Sequence, residues 1–199
     1  MGRGAIVVEG LTEFHALPVA ARKLEESNPD LQPLDISGVV FFDAETESNM
    51  VKFGKFFKDL GLKTFSFYDF LERNPEKKQA LVDAFDVDFE HPNAGIEALL
   101  VNEVSLDRQW DFLVDLRETG DNEGFQIPYE RPDDVKLRQT VKTALKGKKG
   151  TGWAARLLEN CSAEELPQTI VEFLNRVYEL FPRPAVNKDS EEPVEVSFL

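Results

Sequence analysis

Cysteine is almost absent from this sequence, since Cys161 is the single one among 199 residues. An intramolecular disulfide and a zinc ribbon are therefore excluded. Histidine is nearly as scarce, and the wide separation of His15 and His91 along the chain gives little support to a histidine-based zinc site or a nucleophilic triad. A Walker-type phosphate loop is also missing, because the glycine-rich stretch 146–152 has its residues in the wrong order.

Long hydrophobic runs and an excess of positive charge are missing as well. The apolar runs, such as residues 39–42, fall far short of the ~20 residues that cross a bilayer, and no signal segment opens the chain. We therefore expect a cytoplasmic protein with no membrane partner. The 23 Lys and Arg residues against 37 Asp and Glu residues give a net charge of −14, which argues against non-specific docking on a polyanion. Divalent cations held by carboxylates can nevertheless reverse the local sign where a phosphate approaches.

The first third of the chain has the pattern of an α/β protein. Residues 4–10 predict a buried strand that turns sharply, followed by a helix with Thr12 as its N-cap. Further strands are predicted at residues 34–42 and 63–68, with a helix at 50–60 between them. Strands that alternate with helices through short connections predict a doubly wound, mostly parallel sheet flanked by helices.

Prolines and glycines divide the rest of the chain into further segments. We interpret residues 1–70 as the first part of the α/β core, 71–134 as an inserted helical subdomain, 135–181 as the completion of the core with C-terminal helices, and 182–199 as a loosely held tail. Residues 194–199 alternate well enough to add an edge strand.

Acidic side chains follow the predicted strands at the point where each one ends. Glu9 and Asp69 come directly after the first and third strands, and Glu13 lies one helical turn beyond Glu9. Because the carboxyl ends of parallel strands meet at one edge of a sheet, Glu9 and Asp69 would face each other if their strands are neighbours. Oxygen-only ligands suit hard cations such as Mg²⁺ or Mn²⁺, although acids after buried strands also commonly cap helices.

These motifs resemble the Toprim domain, and are closest to the nuclease half of OLD-family (overcoming lysogenisation defect) endonucleases. The resemblance rests on the run 6–13 with its glutamate-glycine turn, on the strand that ends at Asp69, and on the late lysine-glycine stretch. It spans roughly residues 4–181. It implies a Toprim-like fold and a divalent-metal-dependent DNA endonuclease or nicking activity in phage defence or DNA repair.

Carried over residue by residue, the resemblance implies that Glu9 and Asp69 bind Mg²⁺ or Mn²⁺, with Glu13 supplying or supporting a second position. Two ions could activate a water and steady the leaving oxygen. The family also uses a late lysine, for which Lys149 is the best match, and the sequence leaves its neighbours Lys146 and Lys148 open.

One departure concerns the second metal position. The family usually has two aspartates separated by one residue at the third strand, whereas here Leu71 stands at the second of these positions. A second ion would then be weaker, absent or completed by Glu72, Asp43 or Glu97. For Glu97, an exposed helix face is the favoured interpretation, with metal binding as the alternative.

The resemblance also implies partners, namely DNA and an ATPase domain or subunit. Because this sequence has no Walker-type loop, we expect an isolated C-terminal portion or a separate subunit, and a homodimer is left open. The alternative function is a catalytically degenerate Toprim module that acts as a regulatory or assembly partner of an ATPase, and Leu71 and the acidic charge favour it.

Overall fold

The computed structural model describes residues 2–122 and 124–184, which form an α/β fold built on a four-stranded sheet. The strands are β1 (Gly4–Val8), β2 (Val39–Asp43), β3 (Lys63–Asp69) and β4 (Val87–His91). The helices are α1 (Leu11–Ser27), α2 (Glu47–Asp59), α3 (Pro75–Ala84), α4 (Ile96–Glu103), α5 (Leu106–Thr119), α6 (Asp134–Gly147), α7 (Trp153–Glu159) and α8 (Gln168–Leu180), with a 3-10 turn at Ala163–Glu165. The predicted α/β class with helices flanking the sheet is confirmed.

All four strands run parallel, in the order β2-β1-β3-β4. The central strand β1 is buried along its whole length, as expected for an apolar strand covered on both faces. Its pairing with β3 sets Val8 opposite Phe67, so the residues that follow both strands leave the sheet at the same edge. The sheet thereby positions the acidic residues that come next in the sequence.

Helices cover both faces of the sheet and enclose two apolar clusters. On one face, α2 and α3 pack over Val7 and Tyr68, with Met50 and Leu81 buried between them. On the other face, α1 and α8 pack against Ile6, Val8, Phe65 and Phe67, and helices α4 to α7 extend this larger cluster. Because consecutive residues of β1 point to opposite faces, Ile6 and Val7 contribute to different clusters.

Three details of the sequence interpretation are wrong. A strand, β4, lies inside the segment 71–134 that we predicted to be helical. The second strand begins at Val39 rather than at residue 34, because the preceding residues form turns. The N-cap of α1 is Gly10 rather than Thr12, and no side chain caps this helix. The division of the chain into a core, an insert and a tail stays a prediction.

The predicted edge strand at 194–199 lies outside the described residues, as does most of the predicted tail. Among the helices that the structure describes, none is both long enough and apolar enough to span a membrane.

Candidate functional site

The carboxyl ends of β1, β2 and β3 open into an acidic pocket of about 550 Å³. Its acidic lining residues are Glu9, Glu13, Asp43, Glu45, Asp69 and Glu97, and among the described residues Lys149 is the one basic residue that lines it. The structure thus brings together the main residues that the sequence analysis put forward for catalysis or metal binding, which are Glu9, Glu13, Asp69, Glu97 and Lys149. Six carboxylates around one lysine make this pocket strongly negative.

Glu9 and Asp69 are neighbours in this pocket and interact directly. Burial, followed by a hydrogen bond shared with Asp69 and by the negative charges of Asp69 and Glu13, raises the pKa of Glu9 to about 8. Burial, together with the charges of Glu97 and Asp69, raises the pKa of Glu13 to about 7. The pocket therefore retains protons near neutral pH because its carboxylates repel one another in a poorly solvated place.

Glu97 is a correction to the sequence analysis, which favoured an exposed helix face for it. Its side chain is only 2% exposed, and it lies in the first turn of α4. Its Oε1 atom lies 3.2 Å from the Nζ atom of Lys149 but is not aligned for a hydrogen bond. A buried carboxylate with one side free of hydrogen bonds is costly unless a positive charge faces it.

Two glycines with positive φ angles, Gly95 and Gly150, line the pocket close to Glu97 and Lys149. Gly95 has a φ angle of 95°, and a Cβ atom there would lie 3.0 Å from Oε2 of Glu97. Gly150 has a φ angle of 72°, and a Cβ atom there would lie 3.1 Å from the Leu11 side chain. Both backbones approach the pocket closely because neither residue has a side chain.

The structure separates the three lysines that the sequence left open. Lys149 lines the acidic pocket, whereas the Nζ atom of Lys148 lies over the Trp153 ring, 5.8 Å from its centroid. Lys146, in the last turn of α6, is exposed and does not line this pocket. Geometry therefore favours Lys149 as the lysine of the site.

The residues named for a second metal position do not all reach the acidic pocket. Asp43 and Glu97 line it, whereas Leu71 and Glu72 line a neighbouring cavity. Glu45 also lines the acidic pocket, and the sequence analysis did not single it out. Its position in the polar loop after β2 was a usable signal, but its positive φ angle of 65° could not be foreseen.

Neither histidine adds to the lining of the pocket. His91 is fully buried, and its ring packs 5.0 Å from that of Phe67. Burial lowers the pKa of His91 to about 4, so the imidazole is neutral at physiological pH.

Arg73 joins three elements next to the acidic pocket. Its guanidinium donates to Glu90 of β4 at 2.6 Å and to Glu47 of α2 at 3.0 Å. It also donates to the backbone oxygen of Asp69 at 3.1 Å, and its side chain is only 2% exposed. Arg73 therefore ties the end of β3 to its neighbours and fixes the backbone that carries Asp69.

We expect Arg73→Gln to lower the free energy of unfolding by about 3 kcal/mol, because the change leaves Glu47 without its ion-pair partner and Glu90 with only the exposed Lys78. Chemical denaturation monitored by circular dichroism measures this loss. The matched change Arg131→Gln removes an exposed ion pair with Asp107 and should alter the free energy of unfolding by less than about 0.5 kcal/mol. Equal effects of the two changes would contradict the role given to Arg73.

The donor set of the acidic pocket suits a hard divalent cation. Within residues 2–122 and 124–184, no three His, Cys, Asp or Glu side chains are arranged so that they could hold an ion as they stand. Mg²⁺, however, is usually bound through one or two carboxylates, several waters and substrate phosphate oxygens. The pair Glu9 and Asp69 fits this mode, because a cation can replace the proton that the two carboxylates share.

The raised pKa values predict how stability depends on pH in the absence of divalent cations. The folded protein keeps a proton on Glu9 that the unfolded chain releases above about pH 4.5, so its stability falls as the pH rises from 4.5 to 8. Glu9→Gln should therefore be more stable than the wild type at pH 8, by roughly 2 kcal/mol after allowance for solvent screening, with little difference at pH 5. Urea denaturation in chelator at both pH values measures this, and an unchanged pH profile in the variant would contradict it.

Comparison with known proteins begins with the sequence. Residues 1–70 match the family model described as overcoming lysogenization defect protein-like, TOPRIM domain. This segment contains Glu9, Glu13 and Asp69 but neither Glu97 nor Lys149. No curated protein matches the chain by sequence.

Solved structures extend the comparison to most of the chain. The C-terminal region of the Burkholderia pseudomallei OLD protein aligns with a TM-score of 0.65 at 14% identity, over 91% of this chain and 99% of the other. The C-terminal region of the Xanthomonas campestris pv. campestris OLD protein aligns with a TM-score of 0.61 at 14% identity, over 90% and 94% of the two chains. Residues 1–70 therefore match an OLD-like TOPRIM domain, and over about nine tenths of its length the chain has the fold of the C-terminal regions of OLD proteins.

Proposed function

We propose that this chain is a divalent-metal-dependent DNA endonuclease or nicking domain that hydrolyses phosphodiester bonds. It would act in the cytoplasm as the nuclease portion of an ATPase-coupled OLD-type system, in phage defence or DNA repair. The observation that carries the proposal is the convergence of Glu9, Glu13, Asp69, Glu97 and Lys149 on one pocket of an OLD-like TOPRIM fold. A phosphodiester is the substrate class that this combination of hard oxygen ligands and a lysine suits.

Glu9 and Asp69 would hold the Mg²⁺ or Mn²⁺, and Asp43 or Glu97 would complete a second position. Bound cations would offset the negative charge of the pocket, lower the pKa of a bound water and steady the leaving oxygen. Glu13 has a pKa of about 7, so it can exchange a proton at the pocket wall near neutral pH. Lys149 would donate to a phosphate oxygen as charge develops there.

Cleavage of supercoiled plasmid tests this proposal directly. The purified chain is incubated with plasmid in Mg²⁺, in Mn²⁺ and in chelator, and the nicked and linear forms are separated on an agarose gel. We expect nicking or linearisation with either cation and none in chelator. A folded protein that leaves the plasmid intact with both cations would contradict an intrinsic nuclease activity.

The second candidate is a catalytically degenerate Toprim module that assists an ATPase. Leu71 favours it, because an apolar, exposed residue stands where the related motif has a second aspartate. The two candidates differ in metal dependence, since a degenerate module has no need of a cation at Glu9 and Asp69. Nicking that requires both the cation and Glu9 supports the nuclease and excludes the assisting module as the sole function.

A further inference from the structure

A second cavity, of about 750 Å³, lies between the first turns of α2 and α3. It adjoins the acidic pocket through two loops. Thr46 in this cavity follows Glu45 of the acidic pocket, and Leu71 lies two residues after Asp69. Two residues of extended chain span at most about 7 Å, so a single ligand can reach both places.

The walls of the second cavity differ from those of the acidic pocket. Val51, Leu71, Ala80 and Leu81 give it an apolar lining. Thr46, Ser48 and Asn74 add short polar side chains. A mainly apolar lining with a few hydrogen-bonding groups is typical of ligand sites, and a nucleobase has the matching apolar faces and polar edge.

The charges in this cavity balance. The lining contains two acidic residues, Glu47 and Glu72, and two basic residues, Arg73 and Lys77, so it has no formal net charge. Arg73 already pairs with two carboxylates. Balanced charges favour neither a free anion nor a free cation, so a neutral group is the better fit.

The segment between the two cavities is itself apolar and open. Phe70 is 53% exposed although it is a large aromatic residue, and Leu71 beside it is 55% exposed. The backbone of this segment is held by two hydrogen bonds. The Phe70 amide donates to the backbone oxygen of Asn93, and the Arg73 side chain donates to the backbone oxygen of Leu71. Exposed aromatic and apolar side chains next to a backbone-binding site are the usual platform on which bases stack.

We propose that the second cavity binds an unpaired nucleobase of the strand whose phosphodiester lies in the acidic pocket. The proposal rests on the proposed function, because the acidic pocket must take the adjoining phosphate. Leu71 lines the second cavity and the exposed Phe70 beside it offers a ring for stacking, while Thr46 and Ser48 supply hydroxyl groups for the edge of the base. The site therefore selects single-stranded or locally unpaired DNA.

Binding of two single strands of equal charge tests the proposal. One is a labelled 20-nucleotide DNA strand, and the other is an abasic strand of the same length, each titrated in Ca²⁺ with fluorescence anisotropy as the readout. We expect the wild type to bind the base-bearing strand about tenfold more tightly, as the loss of one stacked base implies. Ser48→Trp, which fills the cavity mouth, and Leu71→Ser, which removes an apolar side chain from its lining, should reduce this ratio to within twofold. Both positions are exposed, so these changes preserve the fold, which thermal melting verifies.

Thr143→Trp is the matched control, because Thr143 is an exposed residue of α6 that lines neither cavity. It should keep the tenfold preference. Equal binding of both strands by the wild type, or an unchanged preference in Ser48→Trp and Leu71→Ser, would overturn the base site and leave a side chain of a protein partner as the occupant. Plasmid cleavage is measured with the same proteins, so that the base site and the nuclease activity are tested separately. A base preference without cleavage supports the base site and contradicts the nuclease, whereas cleavage without a base preference does the reverse.

Discussion

Replacement of Asp69 or of Glu9 by alanine is expected to lower metal-dependent plasmid cleavage by at least about a thousandfold. Each change removes one of the two carboxylates that share a proton in the acidic pocket and that would share a cation. Without either ligand, the water loses its activation and the leaving oxygen loses its stabilisation, which together supply several kcal/mol of the barrier. Initial rates of nicking in Mn²⁺ measure the loss.

The matched control for these variants is Glu118→Ala, an exposed acidic residue of α5 outside the acidic pocket. It should cleave at the wild-type rate. The pocket variants should fold at least as well as the wild type in chelator, because each removes like-charge repulsion. Cleavage that persists in both Glu9→Ala and Asp69→Ala would show that the reaction takes place elsewhere on the molecule.

Lys149→Met is expected to lower the cleavage rate by about a hundredfold, which is typical when one donor to a developing negative charge is removed. The side chain of Lys149 is 64% exposed, yet its Nζ atom lies 3.2 Å from the buried Glu97. Its positive charge is thus held at the pocket although the stem of the side chain is solvated. Single-turnover rates at saturating Mn²⁺ separate this effect from weaker DNA binding.

Lys146→Met is the control for the effect of losing one positive charge from the same loop region, and it should keep the rate within about twofold. Lys149→Arg should recover part of the rate, since a guanidinium also donates to phosphate oxygens. Equal losses in the Lys146 and Lys149 variants would indicate general attraction of DNA rather than a role in the reaction.

Much of the fold could be predicted because each of the first strands and helices has a hydrophobic pattern that is typical of only one kind of element. Residues 4–8 are apolar throughout and are followed by Glu9 and Gly10, and the next helix repeats its apolar residues at helical spacing. The strand β4 was missed because Val87–His91 alternates apolar and charged residues over only five positions. Its charged residue Asp88 is satisfied by Ser66 and Tyr68, each at 2.8 Å, and these partners are distant in the sequence.

The candidate site could be predicted only where it follows directly from the strand ends. Glu9 and Asp69 are brought together by the parallel pairing of β1 with β3, which a pattern of strands and helices already favours. Glu97 could not be assigned in this way, because its burial depends on how α4 packs and on the ion pair with Lys149. The role of Arg73 was equally hidden, since its three partners come from three separate elements.

Calorimetric titration of the protein with Mn²⁺ tests the central claim most directly, because it measures cation binding at the acidic pocket without requiring DNA or an ATPase. We expect saturable binding to the wild type that tightens by about tenfold or more between pH 6 and pH 8, since a bound cation displaces the proton held by Glu9. Glu9→Ala and Asp69→Ala should each abolish it, and Glu118→Ala should retain it. Binding of equal strength in all four proteins, or no binding to the wild type at pH 8, would contradict the assignment of this pocket as a divalent cation site.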